Sequence, residues 1–208
     1  MPRIVCLSDT HNYHEEISVP DGDILIHSGD ATQEGTVREI AAFNRWFARL
    51  PHRFKIFVAG NHDWLFEIDN QTARRLLDDS IVYLQDSAIQ IENLKIYGAP
   101  WQPRFYDWAF NLNRGREIAE KWRLINADTD VLITHGPPLE ILDDTPIGDL
   151  AGCEELRKKV EEIRPRAHVF GHIHNGYGTT EKFGIKFVNA ASCDESYAPI
   201  NAPIEFEL

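Results

Sequence analysis

Seven side chains with the chemistry of metal ligands stand in five short clusters along a chain of 208 residues. The clusters are Asp9-Thr10-His11, Gly29-Asp30, Gly60-Asn61-His62-Asp63, His135-Gly136-Pro137-Pro138 and Gly171-His172-Ile173-His174. Asp9, His11, Asp30, Asn61, His135, His172 and His174 supply two carboxylates, one amide and four imidazoles, with no thiolate among them. Seven N/O donors are too many for one tetrahedral ion but suit two divalent metal ions that share a bridging carboxylate. Imidazole-rich ligation without sulfur selects Mn, Fe, Zn, Ni or Co over a pure Mg or Ca site, and Mn is the favoured ion. Along an extended backbone, residues i and i+2 share a side, so Asp9 with His11, and His172 with His174, are expected to point in pairs toward one centre.

Each cluster follows a short β-branched run. Arg3 to Ser8, Ile24 to Ser28, Phe54 to Ala59, Asp130 to Thr134 and His168 to Phe170 read as strands. Groups at the carboxyl ends of strands are held by the sheet while the loops leave room for a ligand. Helices are expected over Gly35 to Leu50, where Val37, Ile40, Ala41, Phe43, Trp46, Phe47 and Leu50 recur at helical spacing before Pro51, and over Gln71 to Asp79, Arg114 to Asn126 and Cys153 to Ile163. Ala88 to Glu92 and Leu94 to Gly98 form two further strands around a tight turn at Asn93, and Ile185 to Ala190 and Ile204 to Leu208 complete the set. Strands alternating with amphipathic helices around a shared core give an α/β fold, and no repeat or linker divides residues 1–208, so a single domain is expected.

In order and spacing these clusters resemble the motif set of the calcineurin-like metallophosphoesterases: D-x-H, G-D, G-N-H-[DE], histidine followed by glycine, and G-H-x-H. The likeness spans Asp9 to His174. Gly98-Ala99-Pro100-Trp101, Thr134 to Pro138, Gly171 to Gly178 and Asn189 to Leu208 are similar to stretches of the small metallophosphoesterase-domain proteins, and the chain also resembles the class III cyclic-nucleotide phosphodiesterase-like members of the family. The resemblance implies a β-sandwich of two mixed sheets flanked by α-helices. It implies that Asp9, His11 and His174 hold one ion, that Asn61, His135 and His172 hold the other, and that Asp30 bridges them. His62 matches a non-ligand histidine beside the phosphate or leaving group, and Asp63 the acid that orients it. The implied activity is hydrolysis of small phosphate esters by a metal-bridging hydroxide, with nucleotide-type or cyclic-nucleotide diesters as the favoured class. A phosphomonoesterase, acting on phosphoprotein among other substrates, and a metal-binding scaffold without turnover are the alternatives.

With 21 Lys and Arg against 33 Asp and Glu, the formal charge is −12. That balance excludes a protein that grips long nucleic acid by general charge. It does not exclude a small anionic ester, because two divalent ions outweigh Asp9, Asp30 and a hydroxide by about one positive charge. The apolar runs are far shorter than the roughly 20 residues that span a bilayer, so no membrane association is expected. No apolar leader opens the sequence, and three cysteines, an odd number, fit a reducing compartment, so a cytoplasmic location is expected. Monomer and homodimer both remain open. Trp101, Phe105, Tyr106 and Trp108 form a loop dense in flat surfaces, which either walls a substrate pocket around Trp101, Phe105 and Trp108 or closes one end of the core. His14, His27, His52 and His168 are expected to be structural, with a peripheral substrate contact left open for His14. Cys193 is expected to be a buried thiol, and Asn189 a support behind the ligands on resemblance alone.

Overall fold

Alternating apolar side chains in short strands build two packed sheets with helices on their outer faces. The computed structural model describes residues 1–208. In chain order its elements begin with β1 (Arg3–Leu7), β2 (Ile24–His27), α1 (Val37–Arg49), β3 (Phe54–Phe57), α2 (Leu65–Ile68) and α3 (Asn70–Arg75). Next come β4 (Ile81–Tyr83), β5 (Ser87–Ile91), β6 (Leu94–Ala99), β7 (Gln102–Pro103), β8 (Asn111–Leu112) and α4 (Arg116–Trp122). The chain closes with β9 (Val131–Thr134), α5 (Glu154–Ile163), β10 (Ala167–Phe170), β11 (Gly178–Lys182), β12 (Ile185–Asn189) and β13 (Ile204–Glu207).

One sheet has the order β13-β1-β2-β3-β4, parallel except for antiparallel β13 at its edge. The other has the order β11-β12-β10-β9-β6-β5, with four parallel strands between antiparallel edges. Between the sheets lie Ile4, Cys6, Ile24, Ile26, Ile56 and Val58 from the first, against Ile96, Val131, Ile133, Val169 and Val188 from the second. The alternate residues of the same strands face outward. Val5, Leu7, Leu25 and Phe57 meet Ile40, Phe43 and Phe47 of α1, while Leu132, Phe170 and Phe187 meet Trp122 of α4 and Leu156 and Val160 of α5. Each such side chain, buried from water, contributes about 1.5–3 kcal/mol. The result is the expected β-sandwich of two mixed sheets flanked by helices.

Helix α1 starts at Val37 because Thr36 caps it. Its side chain accepts from Glu39 N while the Glu39 carboxylate accepts from Thr36 N, a reciprocal capping box. Two expected helices are shorter than their pattern. Residues 114–126 are helical only over Arg116–Trp122, because Gly115 adopts φ 82° at the entry, and Gln71 to Asp79 is replaced by α3, which ends at Arg75 so that Ile81–Tyr83 can pair with β3. Three strands, β7, β8 and β11, carry too little apolar pattern to stand out, and β4, Ile81-Val82-Tyr83, is only three residues long. No helix is long and apolar enough to cross a membrane.

The remaining histidines pack. His27 sits edge-on to Phe43, Phe47 and Phe57, and His168 Nε2 meets Thr134 Oγ1 at 2.8 Å. Burial holds both imidazoles down at about 3, so they are neutral. His14 is buried against Phe43 and Trp46, which removes it as a substrate contact, and His52 Nε2 lies 2.9 Å from the Pro20 carbonyl.

Because β1, β2 and β3 run parallel, and β9 and β10 do likewise, the five clusters exit at the carboxyl ends of their strands. A parallel bridge between Ser8 and Ala191 ties the two sheets together at that edge, with Ser192 N donating to Ser8 O at 2.8 Å.

Candidate metal centre

Three of the five clusters leave their strands through left-handed turns. Asp9 (φ 51°), His11 (φ 42°), Asp30 (φ 54°) and His172 (φ 67°) all adopt positive φ, a conformation that costs a residue with a Cβ about 1–2 kcal/mol. Backbone hydrogen bonds hold these turns. Asp9 N donates to Gly29 O at 2.8 Å, His11 N to Asp30 O at 3.0 Å, and His172 N to the Asp9 carboxylate at 3.0 Å. The extended alternation expected of Asp9-x-His11 and His172-x-His174 is therefore absent. Asp9 and His11 still converge, but His172 and His174 diverge into different clusters. Glycine is required where backbones crowd the carboxylates: a Cβ on Gly171 would strike Asp9 Oδ2 and Ser8, and one on Gly60 would strike Asp30.

Three groups of ligand atoms each lie within 4.8 Å of one another: Asp9, His11 and His174; Asp30, His135 and His172; and His11, Asp30 and His62. Asn61 Oδ1 lies 2.9 Å from His135 Nε2, which brings the amide to the second group. Asp30 stands between the groups, its Oδ2 at 3.3 Å from His135 Nε2 and 3.9 Å from His11 Nε2. His174 Nε2 is 3.4 Å from Asp9 Oδ1. The far nitrogens are anchored: His135 Nδ1 lies 3.1 Å from Ser28 O and His174 Nδ1 lies 2.9 Å from Asp194 O, which leaves each Nε2 facing the cluster. Nitrogen and oxygen donors aimed inward from every side, with no sulfur, fit a divalent metal centre. Asp9, His11 and His174 could hold one ion and Asn61, His135 and His172 another, with Asp30 between.

Electrostatics describe a site ready to exchange protons for metal. Burial pushes the Asp9 and Asp30 carboxyls up, but His174 at Asp9, and His135 and His62 at Asp30, outweigh it and leave both well below the usual carboxylate range. Burial lowers His135 and His174, yet the facing carboxylates raise both to about 9. Burial brings His11 to about 4 and His172 to about 3. In the metal-free protein at neutral pH, His135 and His174 therefore carry protons, whereas a ligand imidazole must offer a lone pair. Metal uptake at pH 7.5 is expected to release about two protons per chain, and apparent affinity to rise with pH up to about 9. Calorimetric titrations with Mn²⁺ in buffers of different ionisation enthalpy measure this; no proton release would contradict the assignment.

His62 has its Nδ1 2.7 Å from Gln33 O, and its ring stacks on Trp108 with centroids 4.1 Å apart. Asp63 does not orient that ring. Its carboxylate accepts from Gly60 N, Ala31 N, Thr32 N and Thr32 Oγ1, at 2.8, 3.3, 3.1 and 2.7 Å, and so clamps the loop after β2 to the loop after β3. Adjacent residues in a turn project apart, so the orienting role that the resemblance implied for Asp63 falls to the Gln33 carbonyl. Asn189 Nδ2 donates to Ile173 O at 2.8 Å and supports the loop carrying His172 and His174. Cys193 is buried, as expected.

A cavity of about 1030 Å³ opens over the cluster. Phe105, Tyr106 and Trp108 line it, together with Trp64, Ile147 and Tyr197. Trp101 does not. Its Nε1 donates to Asp86 at 2.7 Å, Lys121 Nζ sits 3.9 Å over its ring, and it packs where the two outer apolar layers meet, so for this residue the core-closing role holds. Tyr197, which nothing in its local sequence marks as functional, is carried to the cavity by the turn at Asp194 and lies against His11 at 4.7 Å.

A family model described as calcineurin-like phosphoesterase matches residues 2–176. Human metallophosphoesterase domain-containing protein 1 is 42% identical over 230 residues, covering 99% of this chain and 71% of that protein. UPF0046 protein K07C11.7 of Caenorhabditis elegans is 39% identical over 220 residues, covering 99% and 75%. Among solved structures, phosphopantetheinyl hydrolase from Mycobacterium tuberculosis superposes with a TM-score of 0.66 over 97% of this chain and 95% of that one, at 14% identity.

Proposed function

The chain belongs to the calcineurin-like phosphoesterase family and is a metal-dependent phosphoesterase, and from that premise we propose that it is a phosphodiesterase for small organic diesters of nucleotide or cyclic-nucleotide type. Asp9, His11 and His174 would hold one divalent ion and Asn61, His135 and His172 the other, with Asp30, which stands between the two sets, serving both, and with Mn favoured. When bound, such ions lower the pKa of coordinated water and neutralise charge on the phosphoryl oxygens. The protein's own groups bind, orient and protonate. His62, with Nδ1 tied to Gln33 O, lines the cavity, where its other nitrogen would donate to the departing oxygen. Asp63 keeps the Asp30 and His62 loops in register through its four acceptor contacts.

The observation that carries the substrate class is the cavity. At about 1030 Å³ it far exceeds a phosphate, and Phe105, Tyr106 and Trp108 line it with aromatic surface that suits a base or aryl group. Its rim adds Asp107, Asp149 and Glu195 against Arg104 and Arg114, whose guanidinium groups already face Asp107 and Glu154. An acidic rim disfavours a dianionic monoester relative to a monoanionic diester. Three buried free cysteines favour a reducing compartment such as the cytoplasm.

The test is a panel of bis(p-nitrophenyl) phosphate, p-nitrophenyl phosphate and cyclic nucleotides, assayed after chelation and readdition of Mn²⁺. We expect kcat/KM for the diester to exceed that for the monoester by about tenfold, the equivalent of 1.4 kcal/mol. A faster monoester would replace this reading with a phosphomonoesterase, and hydrolysis of none of them would leave a metal-binding scaffold.

A further inference from the structure

We propose that Tyr197 is a specificity-determining residue of this site, its phenol binding the phosphoester beside His62; the inference rests on the phosphoesterase reading above. Tyr197 lies beyond residue 176, where the family match ends, so the matched region does not supply it. Its ring meets three imidazoles of the cluster edge-on, with centroids 4.7 Å from His11, 5.5 Å from His174 and 6.3 Å from His62. It lines the same cavity as Trp108, which covers His62 at 4.1 Å. The phenolic hydroxyl makes no hydrogen bond within the chain, and the residue is 39% exposed, so the oxygen is available to a ligand.

The placement is built rather than incidental. Tyr197 adopts φ 62°, a conformation an aromatic residue takes only where its surroundings enforce it. The enforcement comes from Asp194, whose carbonyl accepts from Tyr197 N at 2.9 Å and whose Oδ1 accepts from Ser196 N, Ser196 Oγ and Ala198 N at 2.8, 2.7 and 2.9 Å. The same Asp194 carbonyl faces His174 Nδ1 at 2.9 Å. One turn thus fixes a ligand imidazole and presents the phenol to the cavity. Asn201 Nδ2, donating to Ala191 O at 3.0 Å, anchors the far side of the segment to the end of the second sheet.

Beside His62, a phenol O–H at this position would donate a hydrogen bond to an ester or phosphoryl oxygen. Its ring meanwhile limits the width of the group admitted next to Trp108. A neutral donor in a partly desolvated site is worth about a factor of ten.

The experiment compares wild type with Tyr197→Phe and Tyr197→Ala by three readouts: Mn content with thermal midpoint, the dissociation constant of phenylphosphonate on the Mn-loaded protein by calorimetry, and kcat and KM for the panel above. Tyr197→Phe is expected to keep Mn content and midpoint while weakening phenylphosphonate and lowering kcat/KM about tenfold each. Tyr197→Ala should weaken both further and narrow the difference between the p-nitrophenyl esters and the cyclic nucleotides. A Tyr197→Phe dissociation constant within twofold of wild type overturns the proposal, as does a weakening matched by loss of Mn. If wild type binds phenylphosphonate more tightly than Tyr197→Phe but hydrolyses no ester, the role of Tyr197 stands and the proposed activity falls.

Discussion

Asp30→Asn is expected to strip the protein of both ions and to lower kcat/KM by about a thousandfold or more. Removing a single electrostatic contact from a reacting centre costs about 10²–10³, and here two ion positions depend on one carboxylate. Asp30 Oδ2 lies 3.3 Å from His135 Nε2 and 3.9 Å from His11 Nε2, so it reaches one histidine from each ligand set. Asparagine keeps the oxygen that accepts from His62 N at 2.8 Å and nearly the same shape, but removes the charge. The fold is therefore expected to survive while the metals leave. Elemental analysis after dialysis, with circular dichroism as the control for folding, measures this; two ions per chain in the variant would show that Asp30 is not the bridge.

His62→Asn is expected to give the complementary result, with Mn content near that of wild type and kcat lower by about 10²–10⁴, the range for losing a positioned general acid. KM should change little, because the phosphoryl oxygens are held elsewhere. The loss should also depend on the leaving group. p-Nitrophenolate departs without a proton and an alkoxide does not, so the variant should lose more on alkyl esters than on p-nitrophenyl ones. The alternative is visible in the geometry, since His62 shares a group of ligand atoms with His11 and Asp30. Metal loss equal to that of Asp30→Asn would make His62 a ligand instead.

These two variants separate because the fold gives neighbouring residues different jobs. Asn61 reaches His135, His62 reaches Gln33 O and Trp108, and Asp63 reaches back to Ala31 and Thr32, so three consecutive side chains project in three directions. The resemblance implied Asp63 as the partner of His62, whereas in this turn the Gln33 carbonyl takes that place. Of the two roles open to it, Trp101 takes the core-closing one. It shares a stretch with Phe105 and Trp108, yet Asp86 and Lys121 draw it toward the core while its neighbours turn to the cavity.

The strands that carry the site were legible because they are buried on both faces. Ile4-Val5-Cys6-Leu7, Ile24-Leu25-Ile26 and Val131-Leu132-Ile133 are unbroken apolar runs with turn residues after them. β11, with the sequence Gly-Thr-Thr-Glu-Lys, has no apolar face, and pairing with β12 along one side is what makes it a strand. The motif glycines were legible as well, and the reason at Gly60 and Gly171 is the closeness of Asp30 and Asp9.

Residue identity and order alone place seven candidate nitrogen and oxygen ligands after five strands, in an order that resembles the motif set of the calcineurin-like metallophosphoesterases. That much is local, because ligand chemistry and strand periodicity are both written within a few residues of each site. Only the tertiary structure decides which ligands share a cluster, since left-handed turns at Asp9, His11 and His172 set directions that spacing cannot. It alone decides that Gln33, and not Asp63, faces His62, and that Tyr197 completes the cavity wall. Those contacts join residues far apart in the chain, and they exist only once parallel strands from two sheets bring their carboxyl ends to one edge.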